Sequence, residues 1–159
     1  MYNRIPAFSK KFTVVTAAAA FHDNDQVGVA VEITGIGKQA FLKSITVLDK
    51  AKQGSEMDLL FFSEAPTNAV LSNAAADISD SEMASKFLGV VKVGNAAVGY
   101  VDPFDVMAVS SIYSNSSLNL LLKPSLEGSD SVWVLAVSRG TPTYSSTSDL
   151  VITLGLEKC

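Results

Sequence analysis

The single histidine of the chain, His22, stands beside two aspartates in the segment His22-Asp23-Asn24-Asp25. A Ser–His–Asp hydrolase would need this residue, because histidine takes and returns the proton of the serine nucleophile. The sequence contains no Gly-x-Ser-x-Gly elbow that would present such a serine. We therefore interpret His22 as a surface residue, and we rank a hydrolase last among the possible functions.

The acidic residues of the same segment bear on metal binding. Asp23-Asn24-Asp25 resembles the start of a calcium loop, but the glycine and the final glutamate of an EF-hand are missing. A zinc site would need several Cys or His ligands, and the chain has one of each, His22 and Cys159. The sequence predicts no catalytic residue, no cofactor and no metal site, with a single Ca²⁺ at a loop left open.

Aromatic residues are the remaining candidates for binding chemistry. Trp133 lies in the apolar segment SVWVLAVS, which favours a place in the core over a sugar-binding platform. Tyr100, Tyr113 and Tyr144 would form a binding patch only if the fold brings them together. These four residues define the alternative to a purely structural role.

Composition narrows the class of protein. A chain of 159 residues is expected to form one domain. Charged residues make up 18%, below the usual value of about 25%, so more of the surface is neutral. The net charge is −4 and no cluster of Lys and Arg is present, which argues against nucleic-acid binding. No apolar run approaches the roughly 20 residues of a membrane span.

Residues 1–10 are predicted to form an N-terminal arm that precedes a single domain over 11–159. Pro6 interrupts strand pairing, and Tyr2, Ile5 and Phe8 are apolar with nothing local to pack against. Arg4, Lys10 and Lys11 precede the first acidic residue, so this end of the chain is basic. We expect Tyr2, Arg4, Ile5 and Phe8 to contact a partner.

Lys10-Lys11 and the apolar residues after them resemble a signal peptide, but Thr13 and Thr16 interrupt that run and favour a strand.

The rest of the chain reads as short strands with turn signals every 8–12 residues. Segments 12–16, 27–34, 41–48, 58–62, 88–93, 97–101, 105–113, 118–123, 131–138 and 150–156 have strand-like patterns. Ser79-x-x-Glu82 predicts one short helix over 80–87. No βαβ alternation is present, so an all-β fold is expected: an antiparallel β-sandwich, jelly-roll-like, with one helix.

The segment from Phe41 to Glu64 is the densest in strand-type residues. Two apolar strands flank the polar connection DKAKQGSE, which contains Gly54. This pattern predicts either a β-hairpin or a crossover between two sheets.

The order of these motifs resembles a family of structural head proteins of tailed bacteriophages. The motifs are VLDK before LLFFSEAPT, ISD before LGVV, and RGTPTY before SDL, within residues 27–156. The resemblance implies a non-enzymatic virion protein that decorates or cements the capsid exterior, with the major capsid protein and itself, as a homotrimer, for partners. It would be made in the host cytoplasm and reside on the virion. The alternative is a carbohydrate- or receptor-binding module of a virion fibre or tip.

Overall fold

The structure is a computed structural model that describes residues 6–67, 73–94, 99 and 110–159. The described residues contain nine strands and one helix, α1. In chain order these are β1 (Ala7–Val14), β2 (Gln26–Ile33), β3 (Ala40–Asp49), β4 (Met57–Phe62), α1 (Asp80–Lys86), β5 (Phe87–Val93), β6 (Ser111–Asn115), β7 (Leu120–Leu122), β8 (Val132–Ser138) and β9 (Leu150–Lys158). The predicted strand 97–101, apart from Gly99, and residues 105–109 of the next one lie outside the described residues.

The strands form two sheets, and within each sheet every pair of neighbouring strands is antiparallel. The first sheet has the order β1-β9-β3-β6, with the short β7 also paired to β3. The second sheet has the order β2-β8-β4-β5. With β7 set aside, the eight strands are shared four and four between the sheets in the jelly-roll order. The predicted antiparallel β-sandwich is confirmed.

Alternate residues of the strands in both sheets point inward and build the core. On β9, Leu150, Ile152, Leu154 and Leu156 are all buried, while the residues between them are half-buried. On β8, Val132, Val134 and Ala136 belong to the same core cluster. Because side chains alternate across a strand, Trp133, Leu135 and Val137 point to the outer face of the second sheet.

The segment from Phe41 to Glu64 is a crossover and not a hairpin. β3 lies in the first sheet and β4 in the second, so the connection spans the edge of the sandwich. The carboxylate of Asp49 shapes this connection by accepting hydrogen bonds from Ala51 N at 3.0 Å and Gly54 N at 2.8 Å. Gly54 has φ 57°, a left-handed conformation that glycine adopts without strain.

The first strand begins earlier than predicted, and this shortens the arm. β1 starts at Ala7, so Ala7–Lys10, assigned to the arm from sequence, pair with β9 in full register. Pro6 precedes the strand, where it removes no ladder hydrogen bond. The expectation that Pro6 keeps residues up to 10 out of the sheet is wrong. Tyr2, Arg4 and Ile5 lie outside the described residues.

Helix α1 forms where the sequence predicts it. Ser79 caps it, with the side chain accepting from Glu82 N at 3.3 Å. Glu82 does not return the contact; its carboxylate accepts from Thr67 N and pairs with Lys86 Nζ at 2.8 Å. Lys86 Nζ also donates to Ala65 O, which ties the helix to the residues after β4. No helix in the described part of the chain is long and apolar enough to cross a membrane.

Candidate functional site

His22 lies in the exposed loop before β2 and its ring meets one carboxylate. Its Nδ1 is 3.3 Å from Asp25 Oδ2, and the same oxygen accepts from the His22 backbone N at 2.7 Å. Among the residues the structure describes, no Ser, Thr or Cys side chain hydrogen-bonds to the imidazole. Asp25 therefore acts here as a loop brace, and the pair lacks the nucleophile of a triad.

The side chains of Asp23, Asn24 and Asp25 do not all point toward one site that could hold an ion. Asn24 has φ 73°, its amide donates to Asp23, and its oxygen accepts from Arg139. Asp25 faces His22 instead. Within the described ranges, no group of three or more acidic, His or Cys side chains is placed to hold a metal ion. The polar side chains that resemble a calcium loop in sequence instead contact Arg139 and His22.

The alternative of a binding patch of tyrosines does not hold for the two tyrosines that the structure describes. Tyr113 and Tyr144 are 0% and 1% exposed, so neither can contact an external ligand. Tyr113 donates its hydroxyl to Lys92 O at 3.1 Å, and Tyr144 packs edge-on against Phe21. Burial raises the pKa of Tyr144, and the nearby carboxylates of Asp49 and Asp149 raise it further. Tyr100 lies outside the described residues.

Three neighbouring cross-strand rows on the outer face of the first sheet are nearly uncharged. One cross-strand row runs Lys11, Thr153, Thr46, Ser114, and the next runs Thr13, Val151, Leu48, Ile112. A shorter row holds Ser9, Gly155 and Ser44. Lys11 is the only charged residue of these three rows, and it stands on the edge strand β1. We call the surface formed by these three rows the neutral face. Interfaces are depleted of charge at their centres, so its composition suits burial against a partner.

Of the four arm residues predicted to contact a partner, the structure describes Phe8, which lies on the edge strand β1 of the first sheet. It is half-buried against the core cluster. The ammonium groups of Lys158 and Lys10 lie 5.3 and 5.9 Å from its ring centroid. Phe8 therefore packs within its own chain, while contact of Tyr2, Arg4 and Ile5 with a partner stays a prediction.

A cleft on the outer face of the second sheet contains the only tryptophan of the chain. Trp133 is half-buried and lines this cleft together with Glu32, Ser63, Glu64 and Leu126. We call it the Trp133 cleft. The sequence favoured a place in the core for Trp133. Alternation puts Trp133 on the face of β8 opposite to Val134, but both faces are apolar, so the sequence could not show which one points outward. Glu32 comes from β2 and Glu64 from the segment after β4, so the sequence alone could not bring them to the tryptophan.

The strand order of the two sheets places this chain among the jelly-roll β-sandwiches. No family model matches the chain, and no curated protein matches it. Among solved structures, one match is to Desmodium yellow mottle tymovirus, at 16% identity, with 99% of this chain and 83% of that chain covered. Its TM-score of 0.29 is too low to indicate a shared fold. The resemblance to phage head proteins therefore stays a prediction from the sequence.

Proposed function

We propose that this chain is a non-enzymatic structural protein of a phage virion, which decorates or cements the capsid exterior as a homotrimer. The neutral face carries the proposal. A sheet face with threonine, serine and aliphatic residues in its central rows can be covered by another protein without burying unpaired charges. Jelly rolls also serve lectins and other proteins, so the fold by itself does not decide the function.

The trimer and the basic N-terminus add to this proposal through multivalency. Three copies attached to one capsid site raise the overall affinity without requiring any single strong contact. Arg4, Lys10 and Lys11 place positive charge at one end of an otherwise acidic chain. Such an end favours an acidic neighbouring surface on the major capsid protein.

The solution mass and capsid binding test the proposal. Light scattering should give three times the chain mass of 16.8 kDa, and the protein should co-sediment with capsids that lack it. A strict monomer that does not sediment with capsids would contradict the proposal.

A truncation that keeps β1 intact tests the shortened arm. Deleting residues 1–5 leaves the β1–β9 ladder, which begins at Ala7, whereas deleting 1–10 would remove half of the strand. We expect the 1–5 deletion to weaken capsid binding and to leave the free energy of unfolding unchanged. Unchanged binding would show that the arm is passive.

A further inference from the structure

Trp133 sits in a cross-strand row that crosses three strands of the second sheet. Its partner on β2 is Glu32, and its partner on β4 is Phe62. Phe62 is fully buried and packs edge-on against Phe87, with ring centroids 5.8 Å apart. Because Phe62 is covered, Trp133 is the aromatic residue of this row that a ligand can reach. It lines the cleft beside Glu32.

The polar groups of the Trp133 cleft are mainly hydrogen-bond acceptors. Glu64 accepts a hydrogen bond from Ser125 through Oε1, which holds the carboxylate at the cleft wall. Glu32 is exposed at the other side of Trp133. In the part of the chain that the structure describes, neither glutamate forms an ion pair. A carboxylate offers about four lone-pair sites, so most of the acceptor capacity of this pair is open.

These features together define the chemistry of the ligand. Two unpaired carboxylates exclude an anion from the cleft. One aromatic residue is too few for the aromatic cage that binds quaternary ammonium groups. A pyranose ring matches both elements, because it offers an apolar C–H face to an aromatic ring and several O–H donors to carboxylate and serine oxygens. Ser63 and Ser131 supply further hydroxyls along the wall.

The size of the cleft agrees with a single ring. Its volume is about 280 Å³, near the lower limit of roughly 300 Å³ for pockets that hold drug-sized ligands. The side chain of Leu126, 61% exposed, forms an apolar lip at the entrance. We propose that the Trp133 cleft binds one neutral hexopyranose residue of a glycan, with the ring stacked on Trp133 and its hydroxyls donating to Glu32 and Glu64. This inference goes beyond the virion role and does not depend on it.

The chain has one tryptophan, so its intrinsic fluorescence reports on this cleft alone. The full chain is titrated with the methyl glycosides of glucose, galactose and mannose. At least one should shift the emission saturably, with a dissociation constant of about 1 mM, as expected for a one-ring site. Saturation-transfer NMR on the same samples detects binding without relying on the emission. No binding of any of the three sugars by either method would overturn the proposal.

Matched variants distinguish this cleft from nonspecific binding. Trp133→Ala and Glu64→Gln should each weaken sugar binding about tenfold, because the first removes the stacking surface and the second a charged acceptor. Glu127→Gln is the control: Glu127 is exposed in the same loop as Leu126 but does not line the Trp133 cleft. Equal loss in Glu64→Gln and Glu127→Gln, or no loss in Trp133→Ala, would contradict the site.

Tetramethylammonium tests the competing chemistry. It should neither shift the emission nor compete with the bound sugar. A cation that saturates the site while the sugars do not would show that the cleft is a cation site and that the proposal is wrong.

Discussion

Arg139 donates a hydrogen bond from Nε to Asp58 Oδ2 at 2.7 Å, and this contact joins the residue after β8 to the start of β4. The Asp58 side chain is 8% exposed and that of Arg139 is 38% exposed. Arg139→Ala would leave a buried carboxylate without its closest donor. We expect a loss of about 2 kcal/mol in the free energy of unfolding, measured by urea denaturation.

The exposed lysine on the same carboxylate provides the control for that prediction. Lys92 Nζ lies 3.8 Å from Asp58 Oδ1, and its side chain is 70% exposed. Solvent screens such a pair, so Lys92→Ala should cost less than about 0.5 kcal/mol. Equal costs for the two variants would show that net charge, and not the buried hydrogen bond, governs stability here.

Two glycines with nearly the same positive φ differ in the space around them. Gly28 has φ +75°, and an added Cβ would lie 2.8 Å from Val15 O and 3.0 Å from Val14 Cγ1. Gly128 has φ +80° with nothing within 4 Å. Gly128→Ala should cost about 1 kcal/mol from backbone strain alone, and Gly28→Ala clearly more because the clash involves backbone. Thermal unfolding of both variants gives the difference, and equal shifts would mean that β2 moves away from Val15 at little cost.

The sequence was sufficient for the strands whose two faces differ. On β9, leucine and isoleucine at every second position fixed both the type of element and its buried face. The helix was also predictable, because Ser79 and Glu82 are local signals that act within one turn. Both features depend on neighbours a few residues apart, which is the range that periodicity and capping rules describe.

Features that depend on distant residues could not be predicted. Whether β3 and β4 form a hairpin depends on their partners. β3 pairs with β9, more than a hundred residues further along the chain, and β4 pairs with β8, about seventy to eighty residues further along. The start of β1 depends likewise on β9, which extends to Lys158 and so offers partners back to Ala7. The Trp133 cleft combines residues of β2, β8 and the segments after β4 and β7.

Asp49 gives the stability a defined dependence on pH. Burial raises the pKa of its carboxyl above 3.8, while hydrogen bonds from the amides of residues 51–54 act in the opposite direction. A raised pKa in the folded state means that the folded protein binds the proton more tightly than the unfolded chain. The contribution of Asp49 to stability is therefore greatest at low pH and declines as the pH rises above 3.8.

Comparison with Asp49→Asn isolates this dependence. The variant cannot titrate at this position, so the free energy of unfolding of the parent minus that of the variant should fall as the pH rises above 3.8. The variant also loses one of the two carboxylate contacts to Ala51 and Gly54, which shifts the difference by a constant. Urea denaturation across the range measures it, and a difference that rises with pH would show that the amide hydrogen bonds outweigh burial.

The last prediction concerns the role of the neutral face in assembly. Thr46 lies in the middle of this face, on the central strand β3 and between Thr153 and Ser114. Thr46→Arg should disrupt trimers or capsid binding, because an arginine there would be buried against a partner without a carboxylate. Its effect on the stability of the isolated chain should stay within about 0.5 kcal/mol, as for other surface substitutions.

Val90→Arg supplies the matched control for Thr46→Arg. Val90 is 46% exposed on β5, at the outer face of the opposite sheet. The variant introduces the same charge on the outer face of the other sheet, on its edge strand β5, so capsid co-sedimentation and solution mass should be unchanged. Loss of assembly in Val90→Arg with normal assembly in Thr46→Arg would place the interface on the second sheet instead, beside the Trp133 cleft.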